Sequence, residues 1–342
     1  MALSLEKKLA IALLVVFSTW ASQAMARQLI NEDALVEKHE QWMARHGRTY
    51  QDSEEKERRF QIFKSNLEYI DNFNKASNQT YQLGLNNFAD LSHEEYVATY
   101  TARKMPVLPT ANTTTKTTLF NSDDINQVEV PESIDWRDHG AVTPIKNQYQ
   151  CGCCWAFSAA AAVEGIVANG VSLSAQQLLD CVSDNQGCKG GWMNNAFNYI
   201  IQNQGIALET DYPYQQMQQM CSSRMAAAQI SGFEDVTPKD EEALMRAVAK
   251  QPVSVTIDAT SNPNFKLYKE GVFTAAGCGN GHSHAVTLVG YGTSEDGTKY
   301  WLAKNSWGET WGESGYMRLQ RDIGLEGGPC GIALYASYPT IN

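Results

Sequence analysis

The stretch Asn147-Gln148-Tyr149-Gln150-Cys151-Gly152-Cys153-Cys154-Trp155-Ala156-Phe157-Ser158 decides how the rest of the chain is read. It crowds three cysteines between a Gln and a Trp, then runs into Ala159-Ala160-Ala161-Ala162-Val163-Glu164, which has the composition of a buried helix. A Cys at a helix N-terminus meets unpaired N–H groups and the positive end of the helix dipole, which favour negative charge. That lowers a thiol pKa toward a usable thiolate. A thiolate facing a His is a nucleophile for acyl transfer.

The chain around this stretch has 342 residues, enough for two or three units. Its hydrophobic content is 43% and its charged content 19%, a composition able to bury a real core. The net charge of −11 argues against nucleic acid, which wants basic patches. Lys7 and Lys8 precede the apolar run Leu9 to Phe17, which is too short to span a bilayer. Ala24-Met25-Ala26 follows as an A-x-A cleavage pattern, so residues 1–26 read as a signal peptide and no membrane association is expected after its removal. Secretory entry permits disulfides. All eight cysteines (151, 153, 154, 181, 188, 221, 278 and 330) lie from residue 151 onward. If Cys154 is a free nucleophile, parity leaves one more thiol free, and Cys153 is the natural candidate; the other six could pair in 15 ways.

Residues 27–129 form a charged, helix-prone block. Within it Glu55, Arg59, Phe63, Asn66, Ile70 and Asn74 fall at spacings that place all six within an arc of about 100° on one helical face. Downstream comes Gly84-Leu85-Asn86-Asn87-Phe88-Ala89-Asp90. Asn78-Gln79-Thr80 and Asn112-Thr113-Thr114 are glycosylation sequons, at Asn78 and Asn112, and the Thr-rich tract from Pro109 to Thr118 reads as an exposed linker.

Beyond Val130 the first half reads helical. The Cys154 helix is expected to stop at Gly170, Ser174-Ala175-Gln176-Gln177 is a capping-box pattern, and Trp192 to Asn203 and Asp240 to Lys250 have helical spacing. The second half reads β: Val253 to Ile257, Tyr300 to Ala303 and Gly315 to Leu319 are candidate strands, and Asp296-Gly297 is a turn signal. A thiol nucleophile needs a base, and only His changes charge near neutral pH unaided. His139 lies in a polar turn and reads as a surface residue. His282 and His284 are two apart, so on a strand they share one face.

Taken together, these motifs resemble those of the papain-like cysteine proteases of plants. The Cys151 to Trp155 segment matches the family's Cys-Gly-Ser/Ala-Cys-Trp/Tyr signature, with Cys153 in place of the small residue. The six-residue helical pattern matches the interspersed Glu-Arg-Phe-Asn-Ile-Asn motif of the family's propeptides, and Gly84 to Asp90 its Gly-x-Asn-x-Phe-x-Asp motif. Ser283-His284-Ala285-Val286-Thr287-Leu288-Val289-Gly290-Tyr291-Gly292 and Lys304-Asn305-Ser306-Trp307-Gly308 resemble the segments of the base and of the residue that orients it.

The resemblance implies an α+β, papain-like two-domain fold: a mainly helical half (about 139–240), a mainly β, barrel-like half (about 241–337), and a cleft between them. A helical inhibitory propeptide (27–129) precedes a mature peptidase domain (130–342), which carries 13 Lys+Arg against 21 Asp+Glu. Cys154 would be the nucleophile, Gln148 the oxyanion donor, His284 the base and Asn305 its orienting partner, shielded by Trp307. Gly191, Trp192, Met193, Thr256, Ser283, Ala285, Trp307 and Tyr335 would contact substrate. Gly191 would bind its backbone, and the apolar wall would favour an aliphatic or aromatic side chain one residue before the scissile one. His282 would be a residue of the cleft rim. The implied disulfides are Cys151–Cys188, Cys181–Cys221 and Cys278–Cys330. The expected protein is a zymogen of an endopeptidase needing no metal or cofactor. Its partners would be polypeptide substrates, its own propeptide and cystatin-type inhibitors; it would act as a monomer in the vacuole or the extracellular space.

Three other classes fit the sequence less well. The C-x-x-C from Cys151 to Cys154 allows a redox protein, but no apolar strand precedes it and His284 and Asn305 would go unexplained. A zinc site is disfavoured because the cysteine spacing is not that of a finger. A catalytically silent homologue is disfavoured because all four catalytic positions are intact.

Overall fold

The structure, a computed structural model, describes residues 32–76, 79–101, 130–167 and 170–341. The segment read as a signal peptide, both sequon asparagines, the Thr-rich linker and the end of the propeptide block before Val130 lie outside these residues. Contacts divide the chain into two compact units, Met1–Tyr69 and Ile70–Asn342. Among the described residues no helix is long and apolar enough to cross a membrane.

In the first unit a helix over 32–46 is followed by the helix Ser53–Asn74, which continues into the second unit. The one-face pattern runs along this single helix as the sequence requires. Glu55 accepts hydrogen bonds from Arg58 and Arg59, at 2.8 and 2.7 Å, and these hold its carboxyl down to about 2. Phe63 stacks among His39 and Trp42, with ring centroids 4.9 and 5.4 Å away.

The second unit carries a nine-stranded sheet, counted among the described residues. Its strands are β1 Tyr81–Leu83, β2 Ile134–Asp135, β3 Gly232–Asp235, β4 Val253–Ile257, β5 Tyr268–Phe273, β6 His284–Thr293, β7 Lys299–Lys304, β8 Tyr316–Gln320 and β9 Ala336–Thr340. The order is β1-β5-β8-β7-β6-β4-β9-β3, with β2 also against β6. Only β5 and β8 run parallel; the other pairs are antiparallel. The Asp296-Gly297 signal sits in the β6–β7 turn, where Gly297 takes φ +84° and donates to the Ser294 carbonyl. β4 is buried along its whole length, since the sheet covers one side and the Cys154 helix the other.

The helical half holds Cys154–Val167, Ala175–Cys181 and Met193–Gln202. Each starts where its cap or spacing requires. Ser174 caps through the Gln177 amide at 2.9 Å, but the reciprocal half of the expected capping box is missing. The Gln177 side chain accepts from the Ala207 amide instead, at 2.7 Å, and so ties the helix to a distant loop. The two histidines, which would share a face if both lay on a strand, stand in different local structure. β6 begins at His284, so His282 stands in the preceding loop and the two do not share a strand face.

The division into a helical and a β half is crossed by exchanged strands. β3, from the helical half, pairs with β9, and β2, from before that half, pairs with β6. Two apolar cores result, one under the Cys154 helix and one within the sheet.

Residues 70–101 join the sheet core. Asn74 bonds both the amide and the carbonyl of Leu83, at 3.0 and 2.9 Å. This fixes the return of the chain into β1, which adds as an edge strand to β5 with Tyr81 opposite Gly271. The side chain of Asn86 donates to the Lys266 carbonyl at 2.9 Å, and Lys266 Nζ donates to the Leu91 carbonyl at 2.6 Å. The helix His93–Tyr100 then opens with a full capping box between Ser92 and Glu95.

Candidate active site

Cys154 is the first residue of its helix, with the alanine run buried behind it. Ala has the highest helix propensity and fits where Gly165 and Pro252 allow little room; a Cβ on Gly165 would lie 2.4 Å from the Pro252 ring. The entry to the helix is pinned by the Cys151–Cys188 disulfide and by Gly152, whose amide donates to the Cys188 carbonyl at 2.9 Å. Any Cβ at Gly152 would stand 2.5 Å from that oxygen, so only glycine fits. Disulfides also join Cys181 to Cys221 and Cys278 to Cys330, leaving Cys153 and Cys154 as free thiols, both buried.

The two free thiols differ in surroundings. Cys153 Sγ lies 3.2 Å from Tyr214 Oη, which itself donates to the Gln148 carbonyl at 2.7 Å. Burial pushes the Cys153 thiol up to about 12, so it is an unreactive neighbour. Burial also pushes Cys154 up, to about 11, opposed by the backbone N–H of Ala285.

His284 opens β6 opposite Ile257 of β4. Its Nε2 lies 2.8 Å from Asn305 Oδ1, an acceptor, so Nε2 carries the proton. Nδ1 is buried with no hydrogen-bond partner among the described residues. The Asn305 oxygen is fixed in turn by the Ser306 amide at 2.8 Å. Trp307 stacks on the imidazole at 4.3 Å and 24°. Enclosed in this way, His284 is driven by burial down to about 4, against the opposing pull of Asn305. Gln148 completes the group: its amide donates to the Ser306 carbonyl at 2.8 Å, its Oε1 accepts from Ser306 Oγ at 2.7 Å, and its Nε2 donates to the Cys151 carbonyl at 2.9 Å. The same Nε2 lies 3.4 Å from the Tyr100 carbonyl.

That last contact belongs to a seal over the group. Phe88 and Tyr96 stand edge-on to Trp307 at 5.2 and 5.6 Å, Tyr100 packs on Phe88 at 4.7 Å, and Tyr96 Oη donates to the Ala259 carbonyl at 3.1 Å. The Thr101 carbonyl approaches Gly152. Phe88 belongs to a motif visible in the sequence; Tyr96, Tyr100 and Lys266 carry no signal that would have marked them.

The remaining expected site residues form a second cluster. Trp192 and Tyr335 rings lie 4.4 Å apart, and Met193 and Ala285 are buried in the same core. Next to them Gly191 leaves no room for a side chain: its Cβ would meet Asn185 Cγ at 2.4 Å. The Asn185 amide meanwhile bonds both the N–H and the carbonyl of Trp192, at 2.9 and 3.1 Å. Thr256 is buried with Oγ1 2.7 Å from His282 Nδ1. Ser283 turns away from the imidazole pair, accepting from the Ala259 amide at 2.9 Å. His282, read as a rim residue, is a full member of this cluster, 5.8 Å from Trp192 and 6.5 Å from Tyr335. His139 is exposed beside Trp136, away from both clusters.

Comparison with known proteins identifies the family. The model of the papain family cysteine protease matches residues 130–340, and that of the cathepsin propeptide inhibitor domain matches residues 39–96. A senescence-specific cysteine protease of Oryza sativa subsp. indica is 46% identical over 345 residues, covering 99% of this chain and 100% of the relative. The solved recombinant stem bromelain precursor superposes with a TM-score of 0.81 at 44% identity, over 90% of this chain and 99% of that one. A ragweed pollen cysteine protease in its proform gives 0.80 at 36% identity, over 91% and 96%. The chain therefore belongs to the papain family of cysteine proteases, as the zymogen of a cysteine endopeptidase that carries its own inhibitor domain.

Proposed function

We propose that Cys154 and His284 are the nucleophile and base of this endopeptidase, with Asn305 orienting the imidazole and Gln148 serving the oxyanion. The observation that carries this reading is the 2.8 Å bond from His284 Nε2 to Asn305 beneath Trp307, with Nδ1 left over. A base held in one tautomer with its second nitrogen uncommitted is ready to take a proton. Asn305 fixes it without adding a charge that would compete with the thiolate.

With the propeptide gone, water and substrate reach the pair. The proton of Cys154 moves to His284 Nδ1. The thiolate attacks the peptide carbonyl, and the Gln148 side chain and the Cys154 N–H bind the oxyanion. His284 protonates the leaving amine, a thioester remains, and water attacks it while giving its proton to His284. The carboxylic acid leaves and the thiolate returns. In the precursor the same pair is neutral, since burial raises the thiol and lowers the imidazole. The seal by Phe88, Tyr96 and Tyr100 supports the propeptide as an inhibitor that works by removing water as well as by blocking the cleft.

The mature enzyme would begin near Val130, after a signal peptide of residues 1–26 and a propeptide to residue 129. It would act as a monomer on polypeptides in the vacuole or outside the cell, after activation in an acidic compartment, and be open to cystatin-type inhibitors. Its substrate contacts would be Gly191 for backbone and Trp192, Met193, Thr256, Ala285 and Tyr335 for the side chain before the scissile residue.

The test is alkylation across pH, with the modified cysteine located by mass. The processed enzyme is expected to label fast at Cys154 near pH 5, and the precursor to stay unlabelled there. Labelling of the processed enzyme that waits until about pH 8.5, the free thiol value, would sink the pair. Gln148→Ala in the processed enzyme is expected to lower kcat by about 10²–10³-fold with the fold intact, the usual cost of one oxyanion donor, as measured by steady-state kinetics on a peptide substrate.

A further inference from the structure

We infer that His282 makes the side-chain pocket a pH-dependent specificity element, one that accepts an acidic side chain before the scissile residue when the enzyme works at acidic pH. The inference rests on the reading of Trp192, Thr256 and Tyr335 as the walls of that pocket. His282 stands against all three: Nδ1 is 2.7 Å from Thr256 Oγ1, and its ring is edge-on to Trp192 at 5.8 Å and to Tyr335 at 6.5 Å. Trp192, Thr256 and Tyr335 are all buried, whereas His282 is half-buried. It is therefore the member of the cluster that an arriving side chain meets first. The Tyr335 ring, 4.4 Å from Trp192, occupies the depth that a long aliphatic chain would use.

The chemistry at the mouth of the pocket is polar. Thr256 engages one imidazole nitrogen, and Nε2 has no hydrogen-bond partner among the described residues. Tyr335 Oη is buried and likewise without one, which puts a second unused donor in the cluster. Neutral His282 can offer Nε2–H to an uncharged acceptor. Protonated His282 adds a positive charge in a half-desolvated setting, where a carboxylate gains more than it would in bulk water.

The groups facing His282 leave that charge available. Asp258, past the end of β4, is the nearest acid, and its oxygens are taken by the amides of Thr260, Ser261 and Gly281 and the hydroxyls of Thr260 and Ser261. Burial works against the Asp258 charge, yet these donors outweigh it and hold the carboxyl below its usual range, so it stays ionised. Its field partly offsets the burial that lowers the imidazole. Asp235, on the far side of Tyr335, bonds Asn194 and is raised by burial; the Tyr335 hydroxyl stays neutral, and His284 is committed to Asn305. A glutamate in solution ionises above about 4.3, while burial holds the His282 imidazole below its usual range, so acidic pH is where a charged imidazole and a carboxylate can meet. Binding of the carboxylate itself draws the imidazole toward its charged form.

The experiment compares three peptides that differ only in the residue before the scissile one, Glu, Gln or Leu, cleaved by the processed enzyme at pH 5 and pH 7. The Glu-to-Gln ratio of kcat/KM is read, because titration of the catalytic pair cancels in it. The ratio is expected to rise about tenfold from pH 7 to pH 5, and His282→Asn, which can keep a bond to Thr256, is expected to flatten it. A flat wild-type ratio, a rise that survives in His282→Asn, or a Glu peptide left uncut at both pH values while the Leu peptide is cleaved overturns the inference alone. An enzyme that cleaves none of the three overturns the active-site reading beneath it.

Discussion

His284→Ala in the processed enzyme is expected to lower kcat by about 10⁶-fold, the loss seen when the base of a nucleophile–base unit is removed. The size follows from the double duty proposed for the imidazole, which would both ionise the thiol and protonate the leaving amine, so that nothing else in the site could substitute for half of its work. The geometry leaves no second candidate. His282 is engaged by Thr256 in the pocket, and His139 is exposed elsewhere. A second reading of the same variant is the thiol titration. Without the imidazole, Cys154 should return to the ordinary thiol range near 8.5 once the propeptide is gone. Active-site titration with an alkylating agent measures this independently of turnover. A variant that keeps more than about one hundredth of wild-type kcat would remove His284 from the mechanism.

Phe88→Ala in the precursor should open the site with the propeptide still covalently attached. Phe88 is fully buried, edge-on to Trp307 at 5.2 Å and packed by Tyr96 and Tyr100. Truncating such a ring costs about 3–5 kcal/mol. Here the cost falls on the packing of residues 70–101 against the sheet core, since that segment contributes Phe88 to it. That corresponds to roughly 10²–10⁴-fold more open precursor. Alkylation of Cys154 in the uncut precursor at pH 7 is the direct readout, and autoactivation should quicken in parallel. Unchanged labelling would mean that the seal is held from elsewhere, for instance by the β1–β5 pairing alone.

The parts of this molecule that were legible in the sequence are those where a residue type is forced by local chemistry. Cys154 before an alanine run, the one-face helix from Glu55 to Asn74, and the capped helix after Asp240 all follow from propensity and spacing. β1 was not legible, because Tyr81–Leu83 is three residues long and gains its strand character from the edge of β5, nearly two hundred residues away. The Gln177 side chain was misread because its better partner, the Ala207 amide, arrives from a loop that no local pattern announces. Spacing alone could not say whether His282 and His284 share a strand face, because that hangs on where the strand begins: β6 starts one residue after Ser283, where β4 begins to offer a partner at Ile257. The neutral state of the Cys154–His284 pair was also hidden. It follows from burial, which raises the thiol and lowers the imidazole and which neither residue's neighbours in the chain announce.

The three disulfides close loops of 37, 40 and 52 residues, and all of them lie from Cys151 onward. Each such bridge is worth about 2–4 kcal/mol to the segment that contains it. The inhibitory segment has none, and among the described residues its part from Ile70 to Thr101 is held by a short strand, asparagine side chains and aromatic packing. The molecule therefore has a built-in order of failure. Loosening is expected to reach the weaker fastening first, while the bridged frame behind it still holds.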